Sequence, residues 1–267
     1  MIRDEGSMTE VLERIREALA AAVSALAPFV PGRVKADFKS GDDPVTEADR
    51  AANRVLREVL LREGEGWLSE ESEDDLDRLR RNRVWVVDPL DGTREFVAAI
   101  PEWCVSIALV ENGEAVAGGI CNPATGEVIV GGRGRGVTCN GKSVRPSQRT
   151  ILQGARVLAS RSEVRRGEWD RFQGGALAIQ PMGSVAYKLA LVAVGKADAT
   201  WTLTPKHEWD VAAGVALVTA AGGGARSLTD CPLTFNHQSA LLPGLVAAGP
   251  HLIGPLSTFL QSYRNPG

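Results

Sequence analysis

Asp88-Pro89-Leu90-Asp91-Gly92-Thr93 is the stretch on which the fold and the chemistry of this chain turn. It follows Val84-Trp85-Val86-Val87, a short apolar run that reads as a buried strand. The strand delivers two carboxylates, three residues apart, into a turn shaped by Pro89 and Gly92. Acids held this close repel each other unless protons or cations intervene. Hard oxygen ligands on such a turn suit Mg²⁺, which takes one or two carboxylates and leaves positions for phosphate oxygens. Taken alone, Asp-Pro followed by Asp-Gly is equally an ordinary turn.

Three other segments supply what a metal cluster needs. In Asp43-Pro44-Val45-Thr46-Glu47-Ala48-Asp49, Thr46 reads as an N-cap, with a helix running on through Ala51 to Leu61. Trp67-Leu68-Ser69-Glu70-Glu71-Ser72 is a short apolar run ending in adjacent carboxylates. Glu208-Trp209-Asp210-Val211-Ala212-Ala213-Gly214 opens a small-residue helix reaching about Ala221, with Asp210 at its start. Singly, capping accounts for Asp49 and Asp210 and surface solvation for Glu70. Their order and spacing together form a further pattern.

From about Lys39 to Pro250 these segments resemble the inositol monophosphatase superfamily of Mg²⁺-dependent, lithium-sensitive phosphatases. The subgroup they fit best is the bacterial 3'(2'),5'-bisphosphate nucleotidases, on Asp91-Gly92-Thr93-Arg94-Glu95-Phe96 and on Gly183-Ser184 followed by Lys188 and Leu191-Val192-Ala193. Inositol monophosphatases commonly carry a Glu seven residues before the aspartate that Asp210 matches; here Leu203 stands there. The resemblance implies a layered α-β-α-β-α sandwich of the inositol monophosphatase and fructose-1,6-bisphosphatase type. An α+β half over residues 1–150 would carry most metal ligands, and an α/β half over 151–267 would carry Asp210 and substrate contacts. It implies hydrolysis of 3'-phosphoadenosine 5'-phosphate to AMP and phosphate by a metal-activated water. Inositol 1-phosphate and fructose 1,6-bisphosphate are the alternative substrates, and a catalytically silent ligand-binding homologue is the alternative of another class.

The same resemblance assigns roles. Glu70, Asp88 and the carbonyl of Leu90 would hold one Mg²⁺, and Asp88, Asp91 and Asp210 a second, within a set of two or three ions. Asp49, Thr93 and Glu70 would be the catalytic residues, Thr93 and Asp49 orienting and helping to deprotonate the nucleophilic water. The amides of Gly92 and Thr93 would cradle the phosphate where a helix starts. Ser184, Lys188 and Asp210 would contact the substrate. A homodimer is a further expectation, although no residue marks an interface.

Composition agrees. At 267 residues the chain suits one large domain or two packed halves. With 44% hydrophobic and 24% charged residues it is an ordinary globular protein. A net charge of −3 lacks the basic footprint of a nucleic-acid binder, so the expected partner is a small phosphorylated molecule. Bound Mg²⁺ would invert the local potential and let an acidic site attract an anion. Cys104, Cys121, Cys139 and Cys231 are spread apart without a C-x-x-C pair and read as buried free thiols of a reducing compartment. With no secretory signal, and with Glu13, Arg14, Arg16 and Glu17 interrupting the Val11–Val30 segment, neither export nor a membrane span is expected, and the cytoplasm is the expected location.

Patterning along the chain fits a layered fold. Residues 8–62 read as two helices separated by Pro28–Gly41, and Arg78–Arg83 as a solvated basic face. Cys104–Glu111, Ala115–Cys121 and Glu127–Gly131 read as strands, with Asn112-Gly113 a hairpin turn. Beyond Gln153 strand-like and helical segments alternate: Ala155–Ala159, Val164–Phe172, Gly183–Val194 and Val211–Ala221. Gly136–Ser143 matches the phosphate-loop pattern G-x-x-x-x-G-K-[ST], yet Asn140-Gly141 is a type I′ turn signal and no helix pattern follows. Gly131–Gly136 reads as a connection between strands, His207 as a peripheral contact at most, and Trp209 as a core anchor for the Asp210 helix.

Overall fold

Apolar residues recur in the first helix at Val11, Leu12, Ile15, Leu19, Ala22 and Leu26, all buried. That three-and-four spacing makes one stripe for a core to cover. This helix is α1 (Glu5–Leu26). The computed structural model describes residues 5–38, 44–175 and 177–264; Lys39, Gly41 and Asp43 of the segments above lie outside them. A ribbon of β1 (Ala36–Phe38) and β2 (Pro44–Thr46) leads into α2 (Glu47–Leu60). Thr46 is the N-cap, as its sequence context predicts, its hydroxyl accepting from the Ala48 amide.

The chain then lays down β3 (Gly66–Ser69), β4 (Arg83–Asp91), α3 (Thr93–Val97), β5 (Cys104–Glu111), β6 (Glu114–Asn122), β7 (Glu127–Gly132), β8 (Gly136–Cys139) and β9 (Lys142–Val144). These seven strands form one sheet in sequence order, β3 parallel to β4 and every later neighbour antiparallel. Val84 and Val86 face one core and Trp85 and Val87 the other, so both faces of β4 are covered. The continuous apolar run of its sequence follows from that. Asn112-Gly113 and Asn140-Gly141 have φ values of 51° and 81°, and 49° and 75°, the left-handed pairs of type I′ hairpins. The phosphate-loop pattern is therefore the turn between β8 and β9.

Next come β10 (Arg156–Ser160), α4 (Arg161–Arg165), β11 (Ala178–Met182), α5 (Val185–Ala193), β12 (Ala199–Trp201), β13 (Lys206–His207), α6 (Glu208–Ala220), β14 (Gly224–Ser227), β15 (Leu241–Leu242), β16 (Leu245–Ala248) and α7 (Ile253–Arg264). The second sheet has the order β11-β10-β12-β16-β14, and β13 pairs with β15. α5 and α6 are buried nearly all round, as befits helices between two sheets. α6 lies on β4, β5, β6 and β7, with α5 beside it. α1 and α2 cover the outer face of the first sheet, and α7 with Trp169 and Phe172 covers that of the second. Five layers result, helix–sheet–helix–sheet–helix, the expected sandwich. Among the described residues no helix is long and apolar enough to cross a membrane.

Some local expectations are corrected. Arg78, read within a solvated run, is buried, whereas Arg80 and Arg81 are exposed. Val164–Phe172 is no single helix: α4 stops at Arg165, Gly167 adopts φ 77°, and a short 3₁₀ turn covers Asp170–Phe172. Of the cysteines, all free, only Cys104 and Cys121 are buried; Cys231 is exposed.

Gly118 and Gly119 let helices approach β6 from both sides. A Cβ on Gly118 would lie 2.5 Å from the Ala213 carbonyl oxygen of α6, and one on Gly119 would lie 2.2 Å from Ile15 Cγ2 of α1. Gly118→Ala must push backbone aside and is expected to cost about 1–3 kcal/mol, the usual penalty of overpacking. Gly254→Ala in α7, where a Cβ meets nothing within 4 Å, should be neutral or mildly stabilising. Urea unfolding of both variants checks the contrast.

Candidate active site

β4 runs on as strand through Asp91 of the motif. Asp88 pairs with Ser106 and Asp91 with Cys104, with one extra residue on the β4 side between them. The expected turn is thus a bulge, where Pro89 gives up no ladder bond and the two carboxylates are re-aimed. Gly92 has φ 97°, and a Cβ there would sit 2.8 Å from the Glu102 carbonyl oxygen, so glycine is required where the chain turns into α3.

Each aspartate is held by one of its oxygens. Asp88 Oδ1 accepts from the Leu90 amide at 3.0 Å. Asp91 Oδ2 accepts from the Ser184 hydroxyl and the Ala186 amide, both at 2.6 Å, at the start of α5. Asp210 Oδ2 accepts from the His207 amide at 2.9 Å, at the start of α6. The three carboxylates bring oxygens within 4.8 Å of one another. Glu70 joins them on the same cavity wall, its amide donating to the Val87 carbonyl beside the motif. Asp49 sits behind that wall. Its Oδ2 accepts from the Thr46 amide and hydroxyl at 2.8 and 2.6 Å, and its Oδ1 lies 3.0 Å from Thr93 Oγ1, which is also 3.0 Å from the Leu90 carbonyl oxygen.

Burial pushes the Asp88 carboxyl well above the usual range, and Glu70, Asp91 and Asp210 push the same way. Burial likewise raises Asp91, opposed by its bonds from Ser184 and Ala186, and raises Asp210, helped by the charge of Asp91. Asp49 is also raised, by burial. Lys188 is 1% exposed and donates to the carbonyls of Met182, Gly183 and Ser184 at 3.3, 3.4 and 3.0 Å. Burial lowers its ammonium to about 8, while Asp91 works against the loss. An all-oxygen set of close carboxylates, Asp88 and Asp91 buried and Asp210 and Glu70 half-buried, fits a hard divalent cation.

Glu70, Asp88, Asp91, Thr93, Lys188 and Asp210 line a cavity of about 450 Å³. Arg161, Arg166 and Lys206 line it too, and the sequence reading singled out none of them. Ser160-Arg161-Ser162-Glu163 carries only a helix-start signal, Ser160 capping the Glu163 amide at 3.4 Å. Glu163 is fully buried and accepts from the Leu203 and Thr204 amides and the Thr204 hydroxyl, holding the rim that precedes His207. Trp209 is half-buried: it packs against the central core, as expected, while its ring also stacks on His207 at 4.4 Å and both line the cavity.

Residues 7–256 match the family model described as the inositol monophosphatase family. The chain belongs to that family. It is 36% identical over 199 residues to an inositol-1-monophosphatase of Rhizobium meliloti, covering 71% of this chain and 74% of the relative. It is 36% identical over 225 residues to a 3'-phosphoadenosine 5'-phosphate phosphatase of Mycobacterium tuberculosis, covering 78% and 80%. The solved inositol monophosphatase from Anabaena superposes with a TM-score of 0.77 at 26% identity, covering 96% of each chain. As a member of the inositol monophosphatase family it is a metal-dependent phosphomonoesterase.

In this family member the acidic cluster sets a pH signature. A carboxyl raised by folding stabilises the folded state below the unfolded value of about 3.9, and that stability is lost as pH rises through the folded value. In EDTA, Asp88→Asn should therefore melt above the wild type, by a margin that grows as pH rises from about 4 towards neutrality. Saturating divalent cation should reverse the order by stabilising the wild type alone. Thermal melts across pH, with EDTA and with MgCl₂, measure both.

Proposed function

We propose that the chain hydrolyses 3'-phosphoadenosine 5'-phosphate to AMP and phosphate, using two or three Mg²⁺ ions. One observation carries the reading: a single cavity is lined by the carboxylates and Thr93 and also by Arg161, Arg166 and Lys206. A substrate with two phosphates can give one to each set. The likeness to the mycobacterial phosphatase supports the same choice. Leu203 adds support, because it packs against the outer core and its amide goes to Glu163, so no carboxylate from that position meets a sugar ring.

Glu70, Asp88, Asp91, Asp210 and the Leu90 carbonyl are the groups to hold the metal. Bound Mg²⁺ supplies Lewis acidity and offsets charge on the attacking and leaving oxygens. Thr93 and Asp49 handle the proton. A water lying against Thr93 Oγ1 can pass its proton there while Thr93 passes its own to Asp49 Oδ1, 3.0 Å away. Burial, which raises Asp49, makes it a better acceptor than an exposed carboxylate. The amides of Gly92 and Thr93 are the donors for the phosphate at the turn into α3. Ser184 and Lys188 serve binding through the wall they build: Ser184 fixes Asp91, and Lys188 ties down the turn before α5.

Thr93→Ala should lower kcat by about 10²–10⁴ and leave KM near its wild-type value, as loss of proton handling predicts. A raised KM at unchanged kcat would make Thr93 a binding residue only. The substrate is tested by phosphate release with Mg²⁺, with and without lithium, from 3'-phosphoadenosine 5'-phosphate, inositol 1-phosphate and fructose 1,6-bisphosphate in parallel. The expected result is the highest kcat/KM for the nucleotide and inhibition by lithium. Preference for either sugar phosphate overturns the substrate and keeps the metal site; no release from any of them favours a silent homologue.

A further inference from the structure

Arg78 lies eight residues beyond Glu70 and is 2% exposed. Its guanidinium donates to both oxygens of Asp74 at 2.7–3.1 Å, to Asn236 Oδ1 at 2.8 Å and to the His237 carbonyl at 2.9 Å. The Asn236 side chain donates back to the Arg78 carbonyl at 3.2 Å. The backbone amides of Asn236 and His237 in turn donate to the two oxygens of Glu208 at 2.7 and 2.9 Å. Glu208 is fully buried and opens α6, two residues before Asp210. A continuous run of direct hydrogen bonds therefore joins the segment that follows Glu70 to the helix that presents Asp210. None of Arg78, Asn236, His237 and Glu208 lines the cavity, so none is placed to touch substrate.

The acids that lie beyond the two ends of this run, Glu70 and Asp210, both raise Asp88. The fork of Arg78 fills three partners in fixed directions, which a lysine ammonium cannot copy. We propose that Arg78 is a positioning residue that fixes Glu70 against Asp210 and thereby sets the affinity for the divalent cation. The inference rests on the metal reading above. Partners that orient ligands from outside typically change metal affinity 10–100-fold when lost.

The test is Mg²⁺ binding to substrate-free protein, by calorimetry and by thermal shift from an EDTA baseline, for wild type, Arg78→Lys, Asn236→Gly and Arg80→Ala. Asn236 has φ 63°, so glycine suits its backbone while removing the amide that meets Arg78. Arg78→Lys should weaken Mg²⁺ about 10-fold or more, Asn236→Gly by a smaller factor, and exposed Arg80→Ala not at all. At saturating Mg²⁺ the substrate KM of both weakened variants should stay within about twofold of wild type. If Arg78→Lys fails to fold, Asn236→Gly decides. Unchanged Mg²⁺ affinity in the folded variants, even with a lower melting temperature in EDTA, overturns the proposal and leaves Arg78 a folding residue. A wild type that binds no Mg²⁺ overturns the metal reading itself and the inference with it.

Discussion

Asp88, Asp91 and Asp210 have to be held with oxygens within 4.8 Å of one another, although like charges in a buried site repel. The fold meets this constraint by dividing the labour of each carboxylate. One oxygen of Asp88 is fixed by the Leu90 amide, one of Asp91 by Ser184 and the start of α5, and one of Asp210 by the His207 amide at the start of α6. Asp49 follows the same scheme, giving Oδ2 to Thr46 and Oδ1 to Thr93. Backbone amides are donors that bring no full counter-charge, so they orient the carboxylates without neutralising the cluster. The second oxygen is left to the site.

This division dissolves a choice that the sequence poses. Capping is the simplest account of Asp49 and Asp210, and it is correct: Asp49 completes a capping box on α2, and Asp210 takes the amide of the residue preceding α6. A carboxylate has two oxygens, so a cap consumes only half of what it offers. Helix starts therefore mount both acids on rigid elements and leave one oxygen of each beyond the cap.

How much could be seen beforehand depended on how local the determinants were. The strand before Asp88, the Thr46 cap and the two Asn-Gly hairpins were legible because they rest on a few adjacent residues. Glu70 and Asp210 have nothing local to separate them from surface acids, and only the order of four segments singled them out. Arg78 was misread because charge in a run predicts solvent, while its partners Asn236 and His237 lie about 160 residues away in sequence. Glu163 and Arg161 were missed for the same reason: Ser-Arg-Ser-Glu announces a helix start, and the loop that Glu163 holds, Leu203–Thr204, is 40 residues further on. Trp209 does pack against the central core, but its stack on His207 at the cavity has no local signal in the sequence.

The reach of Asp210 to Asp88 depends in turn on packing far from both. α6 lies flat on β4–β7 because Gly118 presents no side chain beneath Ala213. Asp91, at the end of β4, hooks the start of α5, so the motif strand grips the central layer at its other helix. The inner face of the first sheet, with Val84, Val86, Ala108 and Ile120, shares one core with α5, α6 and the second sheet. A division near residue 150 follows the chain and cuts across that core. Separated there, the first half would expose an apolar sheet face of a kind that stable monomers bury. It would also lose the fixed orientation of Asp91, because Ser184 and Ala186 come from the second half. The acidic cluster and the central core are thus made by the same contacts, and the site exists only where the two halves are packed together.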